Sequence, residues 1–182
     1  GLPVISTSWV GNLGFSAVQV GRVAGADLGG LAIGAVISAI FIARINRRYM
    51  AVGAALFAIA ANTLCIFYQS YEAMLWLRLA SGIGAGIYTG IAVATIGGHS
   101  RPAFAFGLEL FAFAGSQGAE LKLLPYLSIE GVYIALIVSY VVGLLFISWL
   151  PARPANQTLN VDIDVENPDG EPQAEKNHVP TY

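Results

Sequence analysis

The sequence predicts an all-α fold, a polytopic transmembrane helical bundle with five spans. Five apolar runs each approach the ~20 residues that a helix needs to cross the hydrocarbon core of a bilayer. Hydrophobic residues make up 56% of the chain and charged residues only 11%, whereas soluble domains carry ~25% charged residues. The runs lack the period-two alternation that a membrane β-barrel needs. An ordinary water-soluble enzyme is therefore excluded.

The five runs give the order of the elements. Residues 1–22 are expected to form an extracytoplasmic lead-in, and residues 23–155 the transmembrane bundle. Links of a few residues force neighbouring helices to run antiparallel. The predicted spans lie at about 23–43, 50–68, 73–96, 103–124 and 132–150.

Basic side chains indicate the orientation, because positively charged loops are retained on the cytoplasmic side. Arg44, Arg47 and Arg48 lie in the first link, Arg101 lies in the third, and Arg153 follows the last span. All five positions fall on one side of the membrane. We expect a multi-pass protein of the cell (cytoplasmic or inner) membrane with its C-terminal tail in the cytoplasm.

Residues 156–182 differ from the rest of the chain. They hold six acidic side chains and one basic one, whereas residues 1–155 hold eight basic and five acidic ones. A polar, acidic, proline-containing segment cannot bury enough apolar surface to fold alone. It is predicted to be a disordered acidic cytoplasmic tail or the start of a central loop.

Several chemistries are excluded by what the chain lacks. Cys65 is a single cysteine, and His99 and His178 have no ligand partner at helical spacing, so we expect no metal and no cofactor. No basic patch with interleaved aromatic residues suggests nucleic acid. Ser81 has no histidine or second carboxylate at a spacing that would activate it, so we expect no enzyme.

Ionisable residues within the spans are the first candidates for a functional site. A charge at mid-bilayer costs at least ~2.5–3.5 kcal/mol unless it faces a partner or a wet cavity. Asp27 and Arg78 each lie about one turn inside the outer face of their spans, so they are able to approach each other. Asp27 and Glu109 either titrate protons or accept inter-helix hydrogen bonds. Arg78 either serves transport or forms a structural ion pair.

Polar residues on the fourth span suggest a cavity wall. Gln117 follows Glu109 on one helix face together with Ser116 and Glu120. Glu120 is expected to reach water at the outer interface. Tyr88 on the third span either hydrogen-bonds a solute or packs between helices.

Glycines recur at helical spacing on two spans. Gly82, Gly86 and Gly90 leave one face of the third span without side chains, which allows another helix to approach closely. The first span offers two such faces, one with Gly21, Gly25 and Gly29 and one with Gly30, Gly34 and Ser38. These faces indicate helix packing, and they also suit helices that rock past each other.

Two motifs carry a family resemblance. Residues 78–86 have the form R-x-x-x-G-x-G-x-G, with Gly82, Gly84 and Gly86, and this resembles the fourth-helix motif of major facilitator superfamily transporters. One helix earlier, residues 43–48 (ARINRR) occupy the place of that family's basic loop, with Ala43 in place of its aspartate. Residues 1–155 thus resemble helices two to six of a six-helix N-terminal half.

The resemblance implies secondary active transport of a small solute, by proton-coupled symport or exchange with alternating access. It implies a midplane cavity lined by the first, third and fourth spans, membrane lipid as surroundings, and a second six-helix half in the full-length protein. The fragment alone is expected to be inactive. The candidate residues are Asp27, Arg78, Glu109, Gln117 and Tyr88 for substrate or proton coupling, Gly82, Gly84, Gly86 and Gly90 for helix packing, and Arg44, Arg47 and Arg48 for a cytoplasmic gate loop.

One alternative from another class stays open at this point. A small membrane-embedded interaction or assembly protein, using its acidic tail for docking, would have the same composition.

Overall fold

The structure, a computed structural model, describes residues 6, 9–11, 13–123 and 126–151. The regular structure in these ranges is helical and no strand occurs in them, which confirms the predicted all-α class. The acidic tail predicted at 156–182 lies outside the described residues. The helices are α1 (Ala17–Phe41), α2 (Arg47–Phe67), α3 (Tyr71–Gly97), α4 (Pro102–Leu123) and α5 (Ile129–Leu145), followed by the 3₁₀ turn η1 (Ile147–Trp149).

Polar caps set where the helices begin. Ser16 accepts a hydrogen bond from the backbone of Gln19, whose side chain accepts one from the backbone of Ser16, and this capping box starts α1 ahead of its predicted span. The side chains of Asn46, Ser70 and Ser128 cap α2, α3 and α5 by accepting a hydrogen bond from a backbone amide of the first turn. Hydropathy marks the part of a helix suited to lipid, whereas capping side chains satisfy the free amides at its start. The helices therefore begin before the apolar runs.

The last helix is shorter than its predicted span. α5 ends at Leu145, and the amide of Phe146 donates to the carbonyls of Gly143 and Leu144. The chain continues as η1, whose tighter hydrogen bonds commonly finish a helix. The apolar run to residue 150 gave no sign of this change, because η1 is as apolar as α5.

The central helix of the bundle is α3, which contacts α1, α2 and α4, while α2 also contacts α5. Alternating links divide the molecule into two ends. We call the end with residues 42–46, 98–101 and 146–151 the basic end, and the end with residues 68–70 and 126–128 the acidic end. Glu72 and Glu130 lie in the first turns of α3 and α5 at the acidic end.

A hydrophobic core fills the acidic end. Trp9, Val23, Cys65, Met74 and Tyr133 are fully buried there. The indole Nε1 of Trp9 donates to the hydroxyl of Tyr133 at 3.0 Å, and that hydroxyl donates to the sulfur of Met74 at 3.4 Å. The buried polar groups of both aromatic side chains thus have hydrogen-bond partners. These contacts join the chain before α1 to α3 and α5.

Helices α1 and α3 approach so closely that only glycine fits at four positions. A Cβ atom added at Gly30 would overlap the carbonyl oxygen of Leu79, and one added at Gly82 would overlap that of Asp27. Gly34 and Gly86 repeat this arrangement one turn further along. The two helices thus place their backbones in direct contact, as small-residue faces permit in membranes.

The structure distinguishes between the two glycine faces of α1. Gly30 and Gly34 lie against α3, whereas an added Cβ at Gly21, Gly25 or Gly29 would have no atom from elsewhere in the described residues within 4 Å. On α3, Gly84 points to a different neighbour, because its added Cβ would lie 2.9 Å from the carbonyl oxygen of Ala54 on α2. α3 therefore uses one glycine face for α1 and another glycine for α2.

Length and hydropathy make α1, α2 and α3 suited to cross a membrane, and α5 is a shorter apolar helix of 17 residues. Large apolar side chains cover much of the outer surface; Phe111, Leu145 and Phe67 are more than 70% exposed. Exposed apolar surface of this extent indicates contact with lipid or with another apolar protein surface.

Candidate functional site

A buried ion pair joins α1 to α3. The Nη2 atom of Arg78 lies 2.8 Å from Oδ2 of Asp27, and the two side chains are 6% and 14% exposed. Both residues lie within helices long enough to span a membrane. Placing two charges in such a segment is costly, and the penalty is offset only when the charges are paired and hydrogen-bonded.

An amide from α2 completes this cluster. The Nη1 atom of Arg78 donates to Oδ1 of Asn62 at 3.0 Å, and Nδ2 of Asn62 donates to Oγ of Ser81 at 2.9 Å and to the carbonyl of Ala58 at 2.8 Å. Asn62 and Ser81 are 1% and 3% exposed. We call Asp27, Asn62, Arg78 and Ser81 the polar cluster. It ties α1, α2 and α3 together.

One donor of the polar cluster stays open. The Nε atom of Arg78 is buried and has no hydrogen-bond partner among the described residues. The guanidinium presents five donors in a fixed plane and its charge is retained under all ordinary conditions. A group that enters from this side, such as an anion or a water molecule, would find a donor there.

Asn62 and Ser81 were missed as site residues in the sequence. Asn62 is the only amide within the apolar stretch of α2, and a polar residue within a span is costly enough to count as a signal. Ser81 lies three residues after Arg78, so both share a helix face. These two signals were present, although nothing in the sequence showed that the two residues meet.

Tyr88 lies between two cavities along the groove between α3 and α5. Its ring meets that of Tyr140 edge to face, with 6.1 Å between centroids. A cavity of about 290 Å³ on one side is lined by Tyr88, Glu120, Ser139 and Tyr140 together with Leu136. Glu120 therefore lines this cavity and is half-buried.

Glu109 and Gln117 are not brought to the polar cluster. Both lie on α4, which contacts α3 only slightly and has no buried residue. Within the described residues Glu109 makes no hydrogen bond or ion pair, and both side chains are half-buried. Of the five candidate coupling residues, the structure thus brings together Asp27 and Arg78, and it leaves Tyr88, Glu109 and Gln117 elsewhere on α3 and α4.

The three arginines of the gate loop have different environments. Arg44 is exposed in the link, and Arg47 begins α2. Arg48 donates from Nε to the carbonyl of Leu150 at 2.6 Å and from Nη2 to the carbonyl of Ser148 at 2.8 Å. A cation at carbonyls that follow a helix end is a favourable arrangement. Arg48 therefore fixes the start of α2 to the segment that follows α5.

Comparison with known families decides what this bundle is. A family model described as Major Facilitator Superfamily matches residues 2–169. The chain belongs to the major facilitator superfamily. This match confirms the resemblance to the superfamily that the sequence suggested. Comparisons with curated proteins and with solved structures give no significant match.

Membership in the major facilitator superfamily gives the general function. Proteins of this superfamily are membrane transporters rather than enzymes, and the apolar helices indicate a multi-pass membrane protein. The lipid bilayer and a small solute follow as partners of such a protein.

Proposed function

We propose that this chain belongs to a secondary active transporter that moves a small solute by proton-coupled symport or exchange, with the Asp27–Arg78 pair as its coupling centre. The observation that carries the proposal is this ion pair, which lies buried at the contact of α1 with α3. A structural role alone is a weak reason for a charged pair in a span, since apolar residues pack there at no desolvation cost.

The geometry suggests how coupling would work. A proton that reaches Asp27 neutralises the carboxylate and weakens its bond to the Arg78 guanidinium. Arg78 then keeps its contact with Asn62 and is able to bind an anionic or polar group of the solute. The glycine faces of α1 and α3 place no side chains in the way of a relative movement of the two helices.

We further propose that the basic end faces the cytoplasm, that Arg44, Arg47 and Arg48 act there as a gate, and that a second six-helix bundle supplies the opposite wall of the transport path. In support, no residue of α4 is buried within the described ranges, so this helix is available to a partner bundle. Rocking of two bundles around a shared site is the usual form of alternating access. On this view the 182 residues alone do not transport.

The test is proton movement coupled to solute in proteoliposomes that contain the full-length protein and a luminal pH dye. A panel of a hexose, a dicarboxylate, an amine and a dipeptide is added outside. At least one of these is expected to change the luminal pH with the wild-type protein and to have no effect with Arg78→Ala. Arg22→Ala is the matched control, because Arg22 is exposed.

Two results would contradict the proposal. One is transport by Arg78→Ala at the wild-type rate at every pH. The other is transport by the 182-residue chain alone, which would show that no second bundle is required.

A further inference from the structure

A second cavity lies at the basic end, apart from the polar cluster. It has a volume of about 340 Å³ and lies between α2, α3, α5 and η1. Most of its wall is apolar, formed by Ala51, Ile91, Gly143, Phe146, Ile147 and Leu150. Nothing in the proposed coupling mechanism uses this cavity.

Water is a poor occupant of this space. At ~30 Å³ per molecule the cavity has room for about ten waters, and each needs two to four polar partners. The hydroxyls on its wall belong to Tyr88 and Thr95. Thr95 already donates to the carbonyl of Ile91 at 2.7 Å. An apolar occupant fits this wall better.

Two arginines lie close to the cavity. Arg48 binds the carbonyl of Leu150, which lines the cavity. Arg47 and Arg48 precede Ala51, another lining residue, by four and three positions, so they lie one helical turn beyond the cavity on the same side of α2. The buried Nε of Arg47 has no hydrogen-bond partner among the described residues.

The described links at the basic end carry no acidic side chain. Residues 42–50 and 97–103 contain four arginines and neither aspartate nor glutamate. The first amides of α2 add the positive end of a helix dipole at the same place. Tyr49 and Trp149 are 77% and 82% exposed, as aromatic residues at the level of lipid headgroups are.

We propose that this cavity binds one acyl chain of an anionic phospholipid, with the lipid phosphate held by Arg47 and Arg48. An apolar pocket below a basic rim at one end of a membrane bundle complements such a lipid in both charge and polarity. A bound lipid would join the start of α2 to the end of α5, next to the two hydrogen bonds of Arg48. The inference does not depend on the Asp27–Arg78 coupling pair, although it involves two of the three proposed gate arginines.

The experiment measures retention of phosphatidylglycerol and of phosphatidylcholine by the full chain, using native mass spectrometry from mixed micelles. We expect the wild-type chain to retain phosphatidylglycerol several-fold better. Arg47→Gln is expected to lower this preference about fivefold, because one basic residue near an anionic headgroup contributes roughly that factor. Arg22→Gln removes the same charge from an exposed site on α1 and is expected to change nothing.

A cavity variant separates lipid binding in the pocket from general charge attraction. Ala92 lines the cavity, and Ala92→Phe is expected to reduce retention of phosphatidylglycerol while all the arginines remain. Equal retention of both lipids by the wild-type chain, or equal losses in Arg47→Gln and Arg22→Gln, would overturn the proposal. A change of oligomeric state in Ala92→Phe without loss of lipid would also overturn it, in favour of a second copy as the occupant.

Photolabelling of the wild-type chain does not depend on any variant folding. Phosphatidylglycerol with a diazirine at mid-chain is expected to label peptides that contain Ile91, Phe146 or Leu150. Labels confined to other peptides would refute the cavity as the lipid site.

Discussion

Replacing Gly30 with alanine should destabilise the bundle, whereas the same change at the neighbouring Gly29 should not. A Cβ atom at position 30 would overlap the carbonyl oxygen of Leu79 and would lie 3.0 Å from the amide nitrogen of Ile83. Both are backbone atoms of α3, so no side chain is able to move aside. α1 and α3 would have to separate by about 1 Å, and a gap of that size forfeits up to half of each dispersion contact nearby.

The magnitude follows from comparing the two variants. Overpacking of a close contact costs ~1–3 kcal/mol, while alanine gains up to ~1 kcal/mol over glycine from helix propensity. Gly29→Ala receives the same gain without the clash, because no atom of another described part of the chain lies within 4 Å of an added Cβ there. The free energies of unfolding of the two variants should therefore differ by ~1–3 kcal/mol. Each kcal/mol corresponds to roughly 2–4 °C in Tm for a domain of this size.

The assay is thermal unfolding of both variants in the same detergent, followed by tryptophan fluorescence. Gly30→Ala should unfold several degrees below Gly29→Ala. Equal Tm values, or a higher value for Gly30→Ala, would refute the backbone contact between α1 and α3.

Three further changes test the polar cluster and the basic end. Asp27→Asn should lower the free energy of unfolding by ~3–5 kcal/mol, because it leaves Arg78 buried without a countercharge, and denaturation in mild detergent should detect the loss. Asn62→Ala should lower the free energy of unfolding by ~1–3 kcal/mol in the same assay, because the buried Arg78 guanidinium and the Ser81 hydroxyl each lose a hydrogen-bond partner. An unchanged denaturation midpoint would contradict this hydrogen-bond network. Arg48→Gln should leave the denaturation midpoint nearly unchanged but speed amide hydrogen exchange in residues 146–150. Unaltered exchange would show that the two hydrogen bonds from Arg48 to the carbonyls of Ser148 and Leu150 do not hold residues 146–150 in place.

Hydropathy predicted the order of helices α1 to α5, because a stretch that crosses a membrane must be apolar along its length, and α1, α2 and α3 meet this criterion in the structure. It did not predict their ends. Ser16 and Ser128 begin helices ahead of the apolar runs, and the turn at residues 147–149 ends α5 inside one. Caps and 3₁₀ turns depend on local hydrogen bonds that hydropathy does not measure.

The approach of Asp27 to Arg78 was accessible from the sequence, because both lie at similar depth below the same end of neighbouring spans. The choice between the two glycine faces of α1 was not accessible. Gly29 and Gly30 belong to faces with the same spacing, and only the position of α3 decides which face is buried. The contacts of Asn62 could not be predicted either. Its side-chain partners Arg78 and Ser81 lie on α3, and the sequence does not show which face of α3 meets α2.

The central claim, that the Asp27–Arg78 pair serves transport and not only stability, is tested most directly by removing both charges at once. The double variant Asp27→Leu/Arg78→Met replaces the pair with apolar side chains of similar size, which should recover most of the stability that Asp27→Asn loses, less ~1–3 kcal/mol for the buried Oδ1 of Asn62 that no longer has its donor. Solute-coupled proton movement in proteoliposomes should then be absent from this well-folded protein. A double variant that is stable and transports at the wild-type rate would contradict the account.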